Sequence, residues 1–576
     1  MKQTMDVMRS IRDRSDDTEF HTPLPEGYRL GQTRYVAVFG TVMSGLGKGI
    51  FSSSLAKLLK DKGLRVSPIK LEGYLNIDSG TLNPYRHGEV FVLDDGLETD
   101  MDLGTYERML DQDLTRLNFA TSGQIYSTVL SKERSGGYLG RDVQMIPHVT
   151  GEVKRRLRQL AVESEADVVF VEVGGTVGDI ENAFYIEALR ELSYEEGEGA
   201  VLSVALSYVL SPPALGEQKS KAAQLGIKRL MAHGVHPHLI ACRCEKPVDA
   251  KVRQKISVYT NVPVRRVFSM HDLESIYLLP EQMREAGIDS EVVQMLGLGA
   301  KVNSAADARA AAQWQKFAAV IGCETHKVTI GITGKYTSLR DSYASILKAL
   351  EHAGVAQNAK VAVEWVDTTE IDSANVAEKL AGLDGIIVPG GFGVRGTAGK
   401  VECIRYAREN KLPYLGICLG FQMAVVEYAR NVCGLGDADS TEIDPDCKTP
   451  VISILPEQKK IEGLGGNMRL GGQDVQIAPD TLAAEVFGGT ERTRERFRHR
   501  FEVDPQYVAA LEEAGLVFSG RHPTQPIMQI LELPRSVHPY FIGAQFHPEL
   551  TSRPLRPQPM FVGLIASALE SHAAKR

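Results

Sequence analysis

The chain has 576 residues, with 73 acidic and 65 basic side chains for a net charge of −8, and it is 43% hydrophobic and 24% charged. At roughly 100–200 residues per domain this composition allows about three to five globular units, and its mild acidity excludes a general nucleic-acid binder, which needs a basic face. No apolar run reaches the roughly 18 residues of a membrane span, the charged N-terminus lacks a signal-peptide core, and seven cysteines without CxxC spacing argue against a disulfide scaffold or structural zinc, so a cytoplasmic enzyme is expected.

In chain order, residues 1–32 carry scattered charges with Pro23, Pro25 and Gly27, and read as a loosely ordered extension. Residues 35–39 (YVAVF) predict a buried strand, closed by Gly40 and a glycine-rich turn, and 48–62 a helix. Lys70 is expected at the end of a short strand. Further strands are expected over 168–173 (VVFVEV), near 200–209 and near 238–241. An Ala-rich, one-sidedly charged stretch over 305–320 predicts a linker helix. The grammar then restarts, with strands over 327–333, 360–366 and 385–389 and a helix over 342–352. Alternating strand and helix predicts two α/β domains wound on parallel sheets, over 33–300 and 327–576, joined by a linker over 301–326.

The first domain reads as a nucleotide-triphosphate site. Gly40 to Gly49 lies between a strand and a helix, where backbone N–H groups and the helix N-terminus cradle phosphate and Lys48 adds positive charge. The spacing is longer than a standard P-loop, and Gly49 replaces the hydroxyl residue that would ligate Mg²⁺. Carboxylates must then hold the metal, because Mg²⁺ takes oxygen ligands. Glu172, near the end of VVFVEV, and Asp102, in the acidic run DDGLETDMD, are the candidates; a solvated acidic loop is the competing reading for Asp102. Lys219, Ser220, Lys221, Gln224 and Lys255 form a basic cluster, and Lys70 is a further phosphate candidate.

The second domain reads as a glutaminase. Gly416-Ile417-Cys418-Leu419-Gly420 places a cysteine between a strand and a helix, with glycines that permit the tight turn and a helix N-terminus that favours a thiolate. His547, in Gln545-Phe546-His547-Pro548-Glu549, supplies a base, and Glu549, two residues on along an extended chain, can orient it. Gly390, Gly391, Phe392 and Gly393 offer backbone donors for an oxyanion. Arg492, Arg494, Arg496, Arg498 and Arg500 alternate, so a strand there presents an arginine face, for which a carboxylate or phosphate ligand is expected.

Taken together, SGLGKGI, HGEVFV, ETDMDLG, VEVGGTVGDIE, VPGGFG, GICLG and QFHPE, in this order from residue 44 to 549, resemble the CTP synthase family along nearly the whole chain. The resemblance implies a P-loop-type, dethiobiotin-synthetase-like amidoligase fused to a class I glutaminase with a flavodoxin-like sheet. Glutamine would be hydrolysed at Cys418 with His547 and Glu549, and the ammonia would aminate UTP after ATP phosphorylates its 4-oxygen. By motif, ATP would meet Gly45, Leu46, Gly47, Lys48, Gly49, Ile50, Asp102, His271, Asp272 and Leu273. Mg²⁺ would rest on Asp102 and Glu172, and Lys48 and Lys70 would steady the transferring phosphate. UTP or CTP would meet Ser44, Asp179, Ile180, Glu181, Lys219, Ser220, Lys221, Ala222, Ala223, Gln224 and Lys255. Glutamine would meet Gly391, Leu419, Gly420, Phe421, Gln422, Glu442 and Arg500. The family pattern further implies GTP as activator, CTP as inhibitor and a homotetramer, with filaments an open question, and no nucleic acid, membrane or organic prosthetic group. Ala222-Ala223, Glu72-Gly73 and Val394 depart from the family's Pro-Thr, Asp-Pro and Tyr. Two alternatives stay open at this point: another glutamine-dependent P-loop amide synthase, and a non-catalytic filament subunit.

Overall fold

The computed structural model describes residues 23–214, 216–322, 325–335, 340–455 and 468–574. The chain divides into two compact units, Met1–Ser79 with Thr105–Ala318, and Gly80–Gly104 with Ala319–Arg576.

The first unit is built on seven strands: β1 (Arg34–Gly40), β2 (Val66–Glu72), β3 (Phe119–Thr121), β4 (Val168–Val173), β5 (Val201–Tyr208), β6 (Leu239–Cys244) and β7 (Val267–His271). Their order is β3-β2-β4-β1-β5-β6-β7, and every pairing is parallel. A parallel sheet is covered on both faces, which is why β1 and β4 read as unbroken apolar runs. Its helices include α1 (Lys48–Asp61), α3 (Thr150–Glu163), α4 (Ala183–Glu196), α5 (Lys221–Ala232) and α6 (Ser304–Ala318), and of α2 (Met101–Leu110) the residues from Thr105 onward belong to it. Tyr35, Ala37 and Phe39 share one core with Val153 and Leu157 of α3, Phe184 and Leu189 of α4, and Ile227 of α5. Alternation along β1 turns Val36 and Val38 to the opposite face.

Two expectations change here. Lys70 does not end its strand, because β2 runs on to Glu72. Residues 23–32 are anchored rather than loose: Tyr28 is buried, its hydroxyl lies 2.7 Å from that of Tyr35, and the Arg158 guanidinium sits 5.6 Å over its ring. Residues 1–22 lie outside the described residues. The stretch read as a linker begins with α6, whose Trp314 is buried in the first unit and donates to the Tyr277 carbonyl at 3.0 Å.

The second unit continues with β8 (His326–Gly334), β9 (Ala359–Asp367), β10 (Gly385–Val388), β11 (Tyr414–Ile417), β12 (Arg469–Ile477), β13 (Arg492–His499), β14 (Val517–Arg521), β15 (Met528–Glu532) and β16 (Phe541–Ala544). The order is β9-β8-β10-β11-β16-β15-β14-β12-β13. The first five strands are parallel, and four antiparallel strands extend the sheet. Helices α7 (Ala344–Ala356) and α10 (Pro559–Ala574) share one core, and α8 (Thr397–Glu409) and α9 (Leu419–Asn431) the other.

Within this unit the arginine face of β13 meets carboxylates of the protein itself. Phe91–Val92 and Glu98–Thr99 form a hairpin in the acidic stretch. Arg494 pairs with Asp94 at 2.8 Å and Arg498 with Glu98 at 2.7 Å, while buried Arg496 donates to the Val92 carbonyl at 3.1 Å. Arg492 pairs with Asp474 at 2.5 Å. The free ligand expected for the stripe is therefore replaced at these four positions, whereas Arg500, just past the strand, is exposed and makes no ion pair among the described residues.

These pairs differ in burial. Glu98 is 2% exposed, whereas both side chains of the Asp94–Arg494 pair are more than a third exposed. Loss of the buried hydrogen-bonded charge in Glu98→Gln should cost about 1–3 kcal/mol. Loss of the surface pair in Asp94→Asn should cost about 0–1 kcal/mol. Thermal unfolding of the two variants should thus show the larger drop for Glu98→Gln; equal drops would contradict this account of hairpin docking.

Candidate active site

In the first unit, the sequence-predicted groups gather at the C-terminal ends of the strands, where open α/β sheets place ligands. The loop after β1 turns into α1 through Gly47, whose φ of 78° is in the left-handed region. Lys48 folds back from the first residue of α1 and donates to the Gly175 carbonyl at 2.9 Å. Gly40 leaves room for it, since a Cβ there would lie 2.9 Å from the Lys48 Nζ. The Leu46 side chain is buried beneath the loop, so its backbone alone can meet a phosphate. A Cβ on Gly47 would lie 3.1 Å from Met270, which puts the end of β7, and with it His271, against this loop. His271 lies 2.9 Å from the Gln282 amide, and Asp272 pairs with Arg243 at 2.6 Å.

Lys70 and Glu172 are partners in the β2–β4 register, which is why both point to one spot. The Lys70 ammonium lies 3.1 Å from Glu172 and 3.3 Å from Glu72, and Tyr106 donates to the other Glu172 oxygen at 2.9 Å. A buried carboxylate held by a cation and a phenol at a strand end is a hard oxygen donor, and so fits Mg²⁺. Asp102 lies in the first turn of α2, four residues before Tyr106. Among the described residues no group of three or more His, Cys, Asp or Glu is placed to hold a metal.

The Asp179–Glu181 loop is exposed at all three side chains, with Ile180 at 85%. The Thr176 N–H donates to the Asp179 carboxylate at 2.8 Å, and Arg229 of α5 donates to the Gly178 carbonyl at 3.0 Å. Lys221 and Lys255 are exposed, and Lys219 pairs with Glu217. Ser220 and Gln224 are buried and bond each other at 3.0 Å, and Ala223 is in the core, so these side chains shape α5 rather than face solvent.

In the second unit, Cys418 sits between β11 and α9 with φ 51° and ψ −100°, a conformation that costs of order 1–3 kcal/mol for a residue with a side chain. Close packing sustains it. A Cβ on Gly416 would lie 2.2 Å from the Tyr414 hydroxyl, and one on Gly420 2.0 Å from the Val388 carbonyl. The thiol donates to the Arg498 carbonyl at 3.6 Å, and the His547 imidazole lies beside it across Gly390. The His547 backbone N–H donates to the Arg496 carbonyl at 2.8 Å, and the ring Nδ1 lies 2.8 Å from Glu549. Burial alone would lower the imidazole pKa, but Glu549 and Cys418 outweigh it and raise it to about 10.

The other candidates surround this pair. A Cβ on Gly390 would lie 3.0 Å from His547 and 3.5 Å from the Cys418 Cβ. Glu442 accepts from the Gly393 N–H at 2.8 Å. Buried Gln422 donates to the Phe501 carbonyl at 2.8 Å and to Gln545 at 3.2 Å, which fixes the chain beside Arg500. Phe421 and Leu419 point into the core. Sequence reasoning missed Tyr106, Glu72 and Gln545. Helical spacing from Asp102 could have found Tyr106, and two-residue alternation from Lys70 could have found Glu72.

Comparison with known proteins gives the chain's family. Residues 34–298 match the family profile "CTP synthase N-terminus", and residues 338–567 match "Glutamine amidotransferase class-I". The chain is 49% identical to the Thermococcus kodakarensis CTP synthase over 93% of its own length and 98% of the relative's. It is 47% identical to a Thermus thermophilus CTP synthase, over 93% and 97%. A solved Trypanosoma brucei CTPS glutaminase domain with bound acivicin is 35% identical, over 42% of this chain and 94% of that one, at a TM-score of 0.40. The chain belongs to the CTP synthase family, ligases that use ATP and glutamine to aminate UTP to CTP.

Proposed function

We propose that Cys418, His547 and Glu549 form the glutaminase triad. The observation that carries the reading is the strained Cys418 turn, with His547 beside it across Gly390 and Glu549 on the ring Nδ1. The Cys418 sulfur bonds to the amide carbon as the carbonyl π pair moves to oxygen. When that oxyanion collapses, the C–N bond breaks, ammonia leaves with the proton His547 supplies, and water then releases glutamate from the thioester. The Gly391 and Leu419 N–H groups receive the oxyanion. Arg500, exposed and without an ion pair among the described residues, binds the glutamine carboxylate, with Gly420, Phe421, Gln422 and Glu442 completing the wall.

In the first unit, ATP is held by Gly45 to Ile50 and by His271, Asp272 and Leu273, with Lys48 and Lys70 steadying the transferring phosphate. Asp102 and Glu172 hold Mg²⁺, which when bound neutralises charge on the transferring phosphate. The Tyr106 hydroxyl and the Lys70 ammonium, which hold the Glu172 carboxylate at its strand end, support Glu172 in this role. Ser44, Asp179 to Glu181, Lys219, Lys221 and Lys255 take UTP, or CTP as inhibitor, while Ser220, Ala222, Ala223 and Gln224 shape the start of α5 that carries Lys221. GTP activates the glutaminase. The family resemblance supports a homotetramer whose pyrimidine sites lie at subunit junctions. The free nucleotide and amino-acid substrates support reading the reaction as cytoplasmic.

Cys418→Ala should lose glutamine-dependent CTP synthesis by at least about a thousandfold yet make CTP from added ammonium at near-normal rate. Retained glutamine use would remove Cys418 from the chemistry. Asp102→Ala or Glu172→Ala should abolish synthesis from both nitrogen sources, and near-normal ammonium-dependent rates would refute the metal assignment. The raised imidazole pKa adds a pH test. A group raised from 6.5 to about 10 contributes stability that is complete below the lower value and lost as pH rises through the upper. The thermal midpoint should therefore fall more between about pH 7 and 10 in the parent than in Glu549→Gln, and equal falls would contradict the ion pair.

A further inference from the structure

A buried lysine lies behind the glycine loop that faces Cys418. α8 starts directly after this loop, and its fourth residue, Lys400, is 2% exposed. The ammonium donates to the Pro389 carbonyl at 2.7 Å. A Cβ on Gly391 would lie 3.9 Å from this Nζ and 3.7 Å from Leu419, so the cation sits where the loop meets the first residue of α9. Among the described residues Lys400 has no carboxylate partner. Lys335, which donates to the Phe392 carbonyl, and the Cys418, Cys403 and Glu442 side chains are the charged or titratable groups around it, with His547 on the far side of Gly390.

A strut that only holds a carbonyl needs a donor, not a charge. Burying an ammonium without an anion is costly, and burial, then repulsion from Lys335, pushes this one down to about 7. An anion that forms nearby only during reaction would reward keeping it. Attack by the Cys418 thiolate makes such an anion, as negative charge passes from sulfur to the amide oxygen. Because a peptide is planar and trans, holding the Pro389 oxygen also fixes the direction of the Gly390 N–H.

We propose that Lys400 is a positioning residue of the glutaminase. Its ammonium fixes the Pro389–Gly391 backbone beside Cys418 and favours the negative charge carried first by the thiolate and then by the amide oxygen. The inference rests on Cys418 as nucleophile.

The test is Lys400→Met in the full-length protein, which keeps side-chain length and removes the charge. The kcat for glutamine hydrolysis should fall at least about tenfold while KM changes less than about threefold. Iodoacetamide labelling of the Cys418 peptide near neutral pH, with Cys418→Ala as background, should slow as well. Ammonium-dependent CTP synthesis should persist, and the thermal midpoint should hold or rise because an uncompensated buried charge is gone. Unchanged kcat or unchanged labelling would overturn the proposal. A fall in midpoint together with loss of both activities would also overturn it, leaving Lys400 a strut. Glutamine use that survives in Cys418→Ala would instead defeat the underlying triad, a result the Lys400 variant cannot mimic.

Discussion

The backbone of Cys418 is the constraint on which the second unit depends. A thiol can reach a substrate above the sheet only if the chain turns sharply from β11 into α9, and that turn puts a non-glycine residue at φ 51°. The strain persists because neighbours leave the chain nowhere else to go: Gly416, Gly420 and Gly390 each lie so close to other atoms that a side chain would collide or crowd. β16 pairs in register with β11, so Ala544 lies beside Ile417 and the following residues pass the thiol. His547 and Glu549 are thereby delivered to Cys418 by strand pairing rather than by a separate loop.

β13 closes the arrangement from the side. Its Arg496 and Arg498 carbonyls receive the His547 N–H and the Cys418 thiol, while the same residues' guanidinium groups hold the hairpin of residues 91–99. One strand thus serves the Cys418 turn with its backbone and an acidic hairpin with its side chains. In the first unit strand register does comparable work. Lys70 and Glu172 meet because β2 and β4 are adjacent and parallel, and the glycine-rich loop after β1 lies at the same end of the sheet as this pair.

The strand-loop-helix grammar was legible in the sequence because buried parallel strands are unbroken apolar runs and glycines mark the turns after them. Strands 34–40, 168–173 and 326–334 fall within a residue or so of where periodicity puts them. The partners of the arginine stripe were not legible. Asp94 and Glu98 lie some 400 residues away, and an acidic run looks the same whether it is solvated or docked. For the same reason residues 80–104, inside the span expected for the first domain, group with the second unit. Lys400 carried no signal either, since a lysine in the first turn of a helix is ordinarily exposed. Tyr28 was hidden in a Pro-rich stretch whose composition says nothing about the tyrosine and arginine it packs on.

The central claim is that nitrogen released at Cys418 becomes the amino group of CTP. Glutamine carrying heavy nitrogen in its side-chain amide, supplied with UTP, ATP and Mg²⁺, tests it directly by mass spectrometry of the nucleotide product. The account predicts CTP with the heavy label in its 4-amino group and glutamate formed in equal amount. Heavy ammonia released with no labelled CTP, or CTP formed unlabelled, would contradict it.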